Sequence, residues 1–166
     1  MFHSSIIALA ERVNHTLVAR RQMIVTAESC TGGLIAGALT DVPGSSDAVF
    51  GGYVTYANEA KSGMIAVDRD LIRAHGAVSE EVARAMAEGA RKTSGAAVAI
   101  AVTGIAGPGG GTEGKPVGLV HFAYADAGKT LHLEKRFGDL GRQRVREETV
   151  KAALGLVLDG LGVPRP

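Results

Sequence analysis

Cysteine is almost absent from this 166-residue sequence: Cys30 is the only one, so no intramolecular disulfide bond can form. The five histidines and the lone cysteine do not form a cluster with the spacing of a metal site. These absences exclude a disulfide framework and leave no visible set of metal ligands. We therefore expect a protein of the reducing cytoplasm that works without a metal ion or another cofactor.

The chain also lacks an excess of either charge and lacks a long apolar run. Its 18 lysines and arginines are balanced by 17 acidic residues, whereas nucleic acids and anionic membranes attract strongly basic proteins. The first apolar stretch, residues 6–10, is too short for a membrane span and has no basic start typical of a signal peptide. We expect no nucleic-acid partner, no membrane association and no export.

What the sequence does contain is typical of a globular protein. Hydrophobic residues make up 46% and charged residues 21%, and a chain of this length suits one hydrophobic core. We expect residues 1–166 to form a single domain. The 23 glycines are concentrated between the apolar runs, which indicates that the loops are specialised.

Hydrophobic periodicity predicts alternating helices and strands. Helical spacing predicts helices at residues 5–20, from Leu34 onward, and at residues 58–64, 68–74, 79–93 and 142–158. Ser79 is in addition a good N-cap for the helix at residues 79–93. Short runs of β-forming residues mark strands at 23–27, 48–56, 96–102, 117–124 and 130–137. The strand at 48–56 carries two adjacent glycines, Gly51 and Gly52, which favour a bulge.

The order of these elements indicates the fold class. Helices alternate with strands, and a hairpin through residues 126–128 then joins the last two strands. We therefore predict an α/β protein, a three-layer α/β/α sandwich around a mixed β-sheet. Ligands bind such sheets at the carboxyl ends of strands, where the loops after Ala27 and Val102 begin.

The loop at residues 28–33 lies between a predicted strand and helix and can present a nucleophile. Ser29 is one candidate, with the N–H groups of the following helix available to stabilise an oxyanion. Its alternative role is a helix N-cap. Cys30 is a rival nucleophile because thiolates are intrinsically reactive, and its alternative role is a small buried hydrophobic residue.

A second loop, residues 104–118, contains seven glycines whose backbone N–H groups suit an anion. Residues 109–115 follow the start of a P-loop, but Pro116 stands where a Mg²⁺-binding serine or threonine is needed, and a strand follows. These departures exclude a nucleoside-triphosphatase, while a monophosphate remains compatible with the loop. The alternative is a merely flexible connection.

A serine nucleophile needs a base, and none of the five histidines lies in either loop. Lys61, just after a strand-to-helix segment that begins at Tyr56, can serve if burial neutralises its amine. The alternative is an ordinary solvated surface lysine.

Several segments of the chain resemble, in the same order, the C-terminal domain of the competence/damage-inducible protein CinA. The matching segments are TAESCTGG (26–33), VPGSS (42–46), Tyr56 with Asn58 and Lys61, GAVS (76–79), TGIAGP (103–108) and KPVG (115–118). Stand-alone members of that family are nicotinamide-nucleotide amidases. The resemblance implies hydrolysis of nicotinamide mononucleotide to nicotinate mononucleotide and ammonia.

The resemblance also implies roles for individual residues. Ser29 becomes the nucleophile and Lys61 its base, and Tyr56 is similar to a family tyrosine that orients the serine or relays its proton. The phosphate of a nucleotide substrate needs a further site, for which Thr103, the glycine-rich loop and Arg142 are candidates. Arg142 and Arg146 both match a region of the family, and the alternative role of both is a solvated helix face. The residues expected to bind substrate are Thr31, Gly32, Ser46, Thr103, Gly104, Gly107 and Arg142.

Two further expectations follow from these observations. A non-catalytic nucleotide-binding module is the alternative function, because fold alone does not establish activity. In that module Ser29 would be only a helix cap, whereas the joint presence of Ser29, Tyr56 and Lys61 favours an enzyme. We also expect a homo-oligomer, specifically a dimer.

Overall fold

The computed structural model describes residues 1–166. The helices are α1 (Ser4–Ala19), α2 (Leu34–Thr40), α3 (Asn58–Ile65), α4 (Arg69–His75), α5 (Glu80–Ser94) and α6 (Arg142–Leu161), with a 3₁₀ turn at Ser45–Asp47. The strands are β1 (Ile24–Glu28), β2 (Val49–Val54), β3 (Val98–Gly104), β4 (Leu119–Ala125) and β5 (Thr130–Arg136). The predicted elements are all present, with their ends displaced by a few residues.

The five strands form one mixed sheet in the order β2-β1-β3-β4-β5. Strands β1, β2 and β3 are parallel, whereas β4 is antiparallel to both of its neighbours. The predicted bulge lies in β2, where Phe50 has no partner between the pairs Ile24–Val49 and Val25–Gly51. The three parallel strands therefore end at one edge of the sheet.

Helices cover both faces of the sheet, which confirms the three-layer α/β/α sandwich. One core lies between the sheet and α1, α2 and α6, and it includes Ile100 and Phe122. The other lies beneath α5 and includes Ala99 and Ala101 from the same central strand, β3. Alternate residues of β3 thus point into different cores, as its almost wholly apolar sequence predicts.

Local contacts fix the helices that flank the candidate site. Ser79 caps α5, since its hydroxyl accepts a hydrogen bond from the N–H of Val82. Gly89 lets α5 approach the end of α3, because a Cβ atom there would lie 2.0 Å from the carbonyl oxygen of Ile65. None of the six helices combines the length and apolar character needed to cross a membrane.

Candidate active site

The carboxyl ends of β1, β2 and β3 surround a cavity of about 230 Å³. Its position agrees with the rule that open α/β sheets bind ligands at this edge. The residues that line it are Ser29, Cys30, Tyr56, Asn58, Lys61, Ala77, Val78, Thr103, Gly104, Ala106 and Arg142. No histidine is among them, so the structure offers no serine–histidine pair here.

Ser29 and Lys61 meet inside this cavity. The Nζ atom of Lys61 lies 3.0 Å from the hydroxyl oxygen of Ser29. The same nitrogen lies 2.8 Å from the carbonyl oxygen of Thr55 and 3.3 Å from that of Tyr56. Only 1% of Lys61 is exposed, so the alternative of a solvated surface lysine is wrong.

The surroundings of Lys61 favour its uncharged form. Burial lowers the pKa of Lys61, because the ammonium ion loses hydration, and the lysine makes no ion pair with a carboxylate. A neutral amine can donate its two hydrogens to the carbonyls of Thr55 and Tyr56. Its lone pair is then free to accept the proton of Ser29, so this geometry suits a general base.

Cys30 lies beside Ser29 but faces the hydrophobic core. The residue is 6% exposed and packs in the cluster beneath α1, α2 and α6. Burial raises the pKa of its thiol to about 12, and the nearby carboxylate of Glu28 adds to that rise. Cys30 is therefore a small core residue rather than an activated nucleophile. Its backbone N–H donates to no carbonyl or hydroxyl oxygen.

The N–H groups at the start of α2 are not available to an oxyanion, which corrects one expectation. The carboxylate of Glu28 accepts hydrogen bonds from the backbone N–H groups of Gly33, Ile35 and Ala36. The N-cap position belongs to Gly33, so the alternative role of Ser29 as the cap is also wrong. Next to Ser29, the backbone N–H groups of Cys30 and Thr31 donate to no carbonyl or carboxylate oxygen.

Thr31 and Gly32, both expected to bind substrate, do not line the cavity. Thr31 is fully buried, and its hydroxyl donates to the carboxylate of Glu28. Gly32 has a φ of 60° and its N–H donates to the carbonyl of Ser29, so it closes the turn that follows Ser29. Both residues shape the loop from outside the cavity.

Tyr56 contacts the site differently from the expectation. Its phenolic oxygen accepts a hydrogen bond from Nη2 of Arg142 at 3.0 Å, and no hydrogen bond joins it to Ser29 or Lys61. Only its backbone carbonyl contacts Lys61. The residue is 58% exposed, so its ring forms an outer wall of the cavity rather than a proton relay to the serine.

Arg142 begins α6 and extends over the cavity. Its guanidinium donates to the phenol of Tyr56 and, from Nη1, to the carbonyl of Gly107 at 3.0 Å. Gly107 has a φ of 80°, and a Cβ atom there would lie 2.7 Å from Val117. Gly107 binds Arg142 through its backbone carbonyl. It does not line the cavity, although it was expected to bind substrate.

Thr103 and Gly104 line the cavity from the end of β3. The Thr103 hydroxyl donates to the carbonyl of Ala77 at 2.8 Å, which ties β3 to the segment before α5. The glycine-rich run at residues 109–114 is exposed and does not contribute to the lining. As predicted, a strand rather than a helix follows this run.

Ser46 is not brought to the cavity. It lies in the turn before β2, at the amino end of the sheet, where the carbonyl of Ala48 accepts from the N–H of Ile24. Ser29 follows the carboxyl end of β1, so the two serines are separated by the length of that strand, roughly 16 Å. The expectation that Ser46 binds substrate in this chain's own cavity is therefore wrong.

The structure adds residues that the sequence did not identify as functional: Glu28 contacts the loop that carries Ser29, and Asn58, Ala77 and Val78 line the cavity. Arg146, which the sequence analysis considered beside Arg142, contacts the loop that carries Ser29 instead of the cavity. Asn58, Ala77 and Val78 lie in segments that resemble the family, which was the available signal for them. No group of three or more histidine, cysteine, aspartate or glutamate side chains is placed to hold a metal ion.

Comparison with known proteins agrees with this architecture. Residues 6–161 match the model of the CinA C-terminal domain family. The competence/damage inducible protein CihA from Agrobacterium tumefaciens has 49% identity and a TM-score of 0.94, over 96% of this chain and 97% of that chain. The competence damage-inducible protein A (ComA) from Klebsiella pneumoniae has 36% identity and a TM-score of 0.90, over 95% and 97%.

Curated relatives are longer proteins. A CinA-like protein of Synechococcus sp. (strain RCC307) is 50% identical over 90% of this chain but only 36% of its own length. A CinA-like protein of Mycolicibacterium paratuberculosis is 53% identical over 87% of this chain and 34% of its own. The chain thus spans about a third of these relatives, and with a family match over nearly its whole length it belongs to the CinA C-terminal domain family.

Proposed function

We propose that this chain is an amidohydrolase that converts nicotinamide mononucleotide to nicotinate mononucleotide and ammonia. The observation that carries the proposal is the buried contact of 3.0 Å between Nζ of Lys61 and Oγ of Ser29. A binding module has no need for a buried lysine without an acidic partner. Such a lysine is costly to desolvate, and it is useful where a neutral amine must take a proton.

The first half of the reaction forms an ester on Ser29. Lys61 accepts the hydroxyl proton while the serine oxygen bonds to the carboxamide carbon, whose carbonyl oxygen becomes negative. The N–H of Cys30, which makes no hydrogen bond to a backbone carbonyl, is a candidate donor to that oxyanion. Lys61 then returns the proton to the nitrogen, the carbon–nitrogen bond breaks, and ammonia leaves.

The second half releases the acid. Lys61, neutral again, takes a proton from a water molecule, and the oxygen of that water molecule bonds to the ester carbon. The bond to Ser29 breaks, the serine recovers its proton from Lys61, and the nicotinate group departs as a carboxylate after its remaining water-derived proton is released to solvent. One base therefore serves both halves, as in other serine–lysine hydrolases.

The size and polarity of the cavity suit one end of a nucleotide. At about 230 Å³ it is smaller than the roughly 300 Å³ at which pockets begin to enclose drug-sized ligands. A pyridine carboxamide can enter while the ribose and phosphate stay near the mouth. Arg142 lies there. It is the only arginine that lines the cavity, and its guanidinium can bind a phosphate.

The test is to incubate the purified protein with nicotinamide mononucleotide and measure ammonia and nicotinate mononucleotide together. We expect equal amounts of both products, formed faster than from nicotinamide riboside, which lacks the phosphate. Binding of the nucleotide without release of ammonia would contradict the proposal. That outcome would favour a non-catalytic nucleotide-binding module instead.

A further inference from the structure

The loop that carries the nucleophile, residues 29–33, is held on one side by the buried carboxylate of Glu28. Glu28 is fully buried, and the four groups that donate to it are the Thr31 hydroxyl and the N–H groups of Gly33, Ile35 and Ala36. Donors to a carboxylate and the positive end of a helix compensate for burial of the charge. Ser29 is thereby enclosed between Glu28 and the groups that Glu28 binds.

The other side of the same loop is held by Arg146, from α6. Its Nε donates to the carbonyl of Cys30 at 3.2 Å, and its Nη2 donates to that of Thr31 at 3.0 Å. A Cβ atom on Gly32 would lie 3.5 Å from the same guanidinium, so the arginine packs closely on the turn. Unlike Arg142, Arg146 does not line the cavity.

We propose that Glu28 and Arg146 are positioning residues that fix loop 29–33 and so set the distance between Ser29 and Lys61; the proposal rests on the proposed function. Lys61 is held by the β2–α3 connection, through the carbonyls of Thr55 and Tyr56. Nucleophile and base therefore belong to separately anchored segments. Their contact depends on the loop remaining in place, and a misplacement of about 1 Å can reduce turnover about a hundredfold.

Arg146 is tested by replacement with lysine, which keeps the charge but loses the planar fork that reaches two carbonyls. We expect Arg146→Lys to lower kcat for nicotinamide mononucleotide by tenfold or more, up to about a hundredfold, with KM changed less than about threefold. Arg144→Lys, an exposed neighbour on α6, is the matched control and should behave as wild type. A raised KM with unchanged kcat would make Arg146 a phosphate ligand and overturn the proposal.

The Glu28 side is tested at Thr31. Thr31→Val keeps the shape but removes the donor to Glu28, and Thr31→Ser restores a hydroxyl. We expect Thr31→Val to lower kcat by about tenfold, corresponding to roughly 1.4 kcal/mol, and Thr31→Ser to recover most of it. Equal kcat values in the two folded variants would contradict the role.

Cys30 supplies a readout that needs no substrate, because it is the only cysteine and lies buried in the loop. We expect its thiol to react with an aromatic disulfide reagent at least about tenfold faster in Arg146→Lys and Thr31→Val than in wild type, since exchange depends on access. Unchanged protection of Cys30 in both variants would overturn the proposal. If the wild type releases no ammonia, the proposed function fails, and the thiol rates alone decide whether the loop is held in this way.

Discussion

Nζ of Lys61 lies 3.0 Å from Oγ of Ser29, although Ser29 lies in the connection from β1 to α2 and Lys61 lies in α3, just after the connection from β2. The parallel pairing of β1 with β2 brings these connections to the same edge of the sheet. The lysine is buried without a carboxylate partner, so its lower pKa follows from desolvation. The pairing of the strands thus brings the two side chains together, and the burial of Lys61 favours the neutral amine that a general base requires.

The first prediction separates the two adjacent nucleophile candidates. Cys30→Ala should keep at least about half of wild-type turnover, because the thiol faces the core and burial raises its pKa to about 12. A loss of stability of about 1 kcal/mol is expected from the smaller core side chain. The check is ammonia release together with thermal unfolding, and an inactive but folded Cys30→Ala would contradict the assignment.

The second prediction concerns pH. In the proposed mechanism Lys61 acts when neutral, and burial lowers its pKa, so kcat should rise with pH through an ionisation below the usual lysine value of about 10.4. Lys61→Arg should lose at least about a thousandfold in kcat, because a guanidinium stays protonated. The measurement is the pH–rate profile of wild type beside the turnover of the variant. An arginine variant with most of the wild-type turnover would leave Lys61 as an electrostatic residue.

The same shift predicts a stability effect. Between the lowered pKa and the usual one, the unfolded chain binds more protons at Lys61 than the folded chain does. The free energy of unfolding of wild type should therefore rise with pH relative to Lys61→Met, by at most about 1.4 kcal/mol per pH unit. Urea unfolding of both proteins between neutral pH and pH of about 10 tests this. A constant difference would indicate that the folded protein does not lower the pKa.

The third prediction distinguishes Tyr56 from Arg142. Tyr56→Phe should keep kcat within about threefold, because the phenol contacts Arg142 and not Ser29 or Lys61. Arg142→Ala should raise KM for nicotinamide mononucleotide by about tenfold to a hundredfold, the value of one charged hydrogen bond. Steady-state kinetics with both variants test this. A Tyr56→Phe enzyme without turnover would restore the phenol as a proton relay.

The fourth prediction tests how α3, which carries Lys61, is seated on α5. Gly89→Ala should lower the free energy of unfolding by about 1 to 3 kcal/mol, because its Cβ would lie 2.0 Å from the Ile65 carbonyl oxygen. Gly63→Ala, also within a helix but with nothing within 4 Å, should be neutral or stabilising by up to about 1 kcal/mol. Denaturant titration compares the pair. Equal effects would show that the helices adjust without cost.

Much of the fold could be predicted from the sequence because it depends on local patterns. The apolar run of β3 is enough by itself to predict a strand, and Ser79 is enough to predict the start of α5. The order of the strands depends on long-range pairing, which periodicity does not contain. The same limit explains why the position of Ser46, at the opposite end of the sheet, was missed despite its clear motif.

The site was predictable in part. Ser29 follows a strand and precedes a helix, so its loop was identifiable, but the burial of Lys61 has no local signal in a short polar helix. Family resemblance supplied that pair. Glu28 and Arg146 were missed as positioning residues because the sequence does not show their contacts. Glu28 binds N–H groups at the start of α2, and Arg146 belongs to α6 and binds Cys30, which is 116 residues away. The expected dimer stays a prediction.

The most direct test of the central claim is the rate of ammonia release from nicotinamide mononucleotide by Ser29→Ala, measured beside wild type under saturating substrate. In the proposed mechanism Ser29 provides the attacking oxygen, so its loss should lower kcat by at least about a thousandfold, while the folded state and nucleotide binding persist. We expect an active wild type and a folded, substrate-binding, inactive variant. A Ser29→Ala protein that releases ammonia at a rate close to wild type would contradict it.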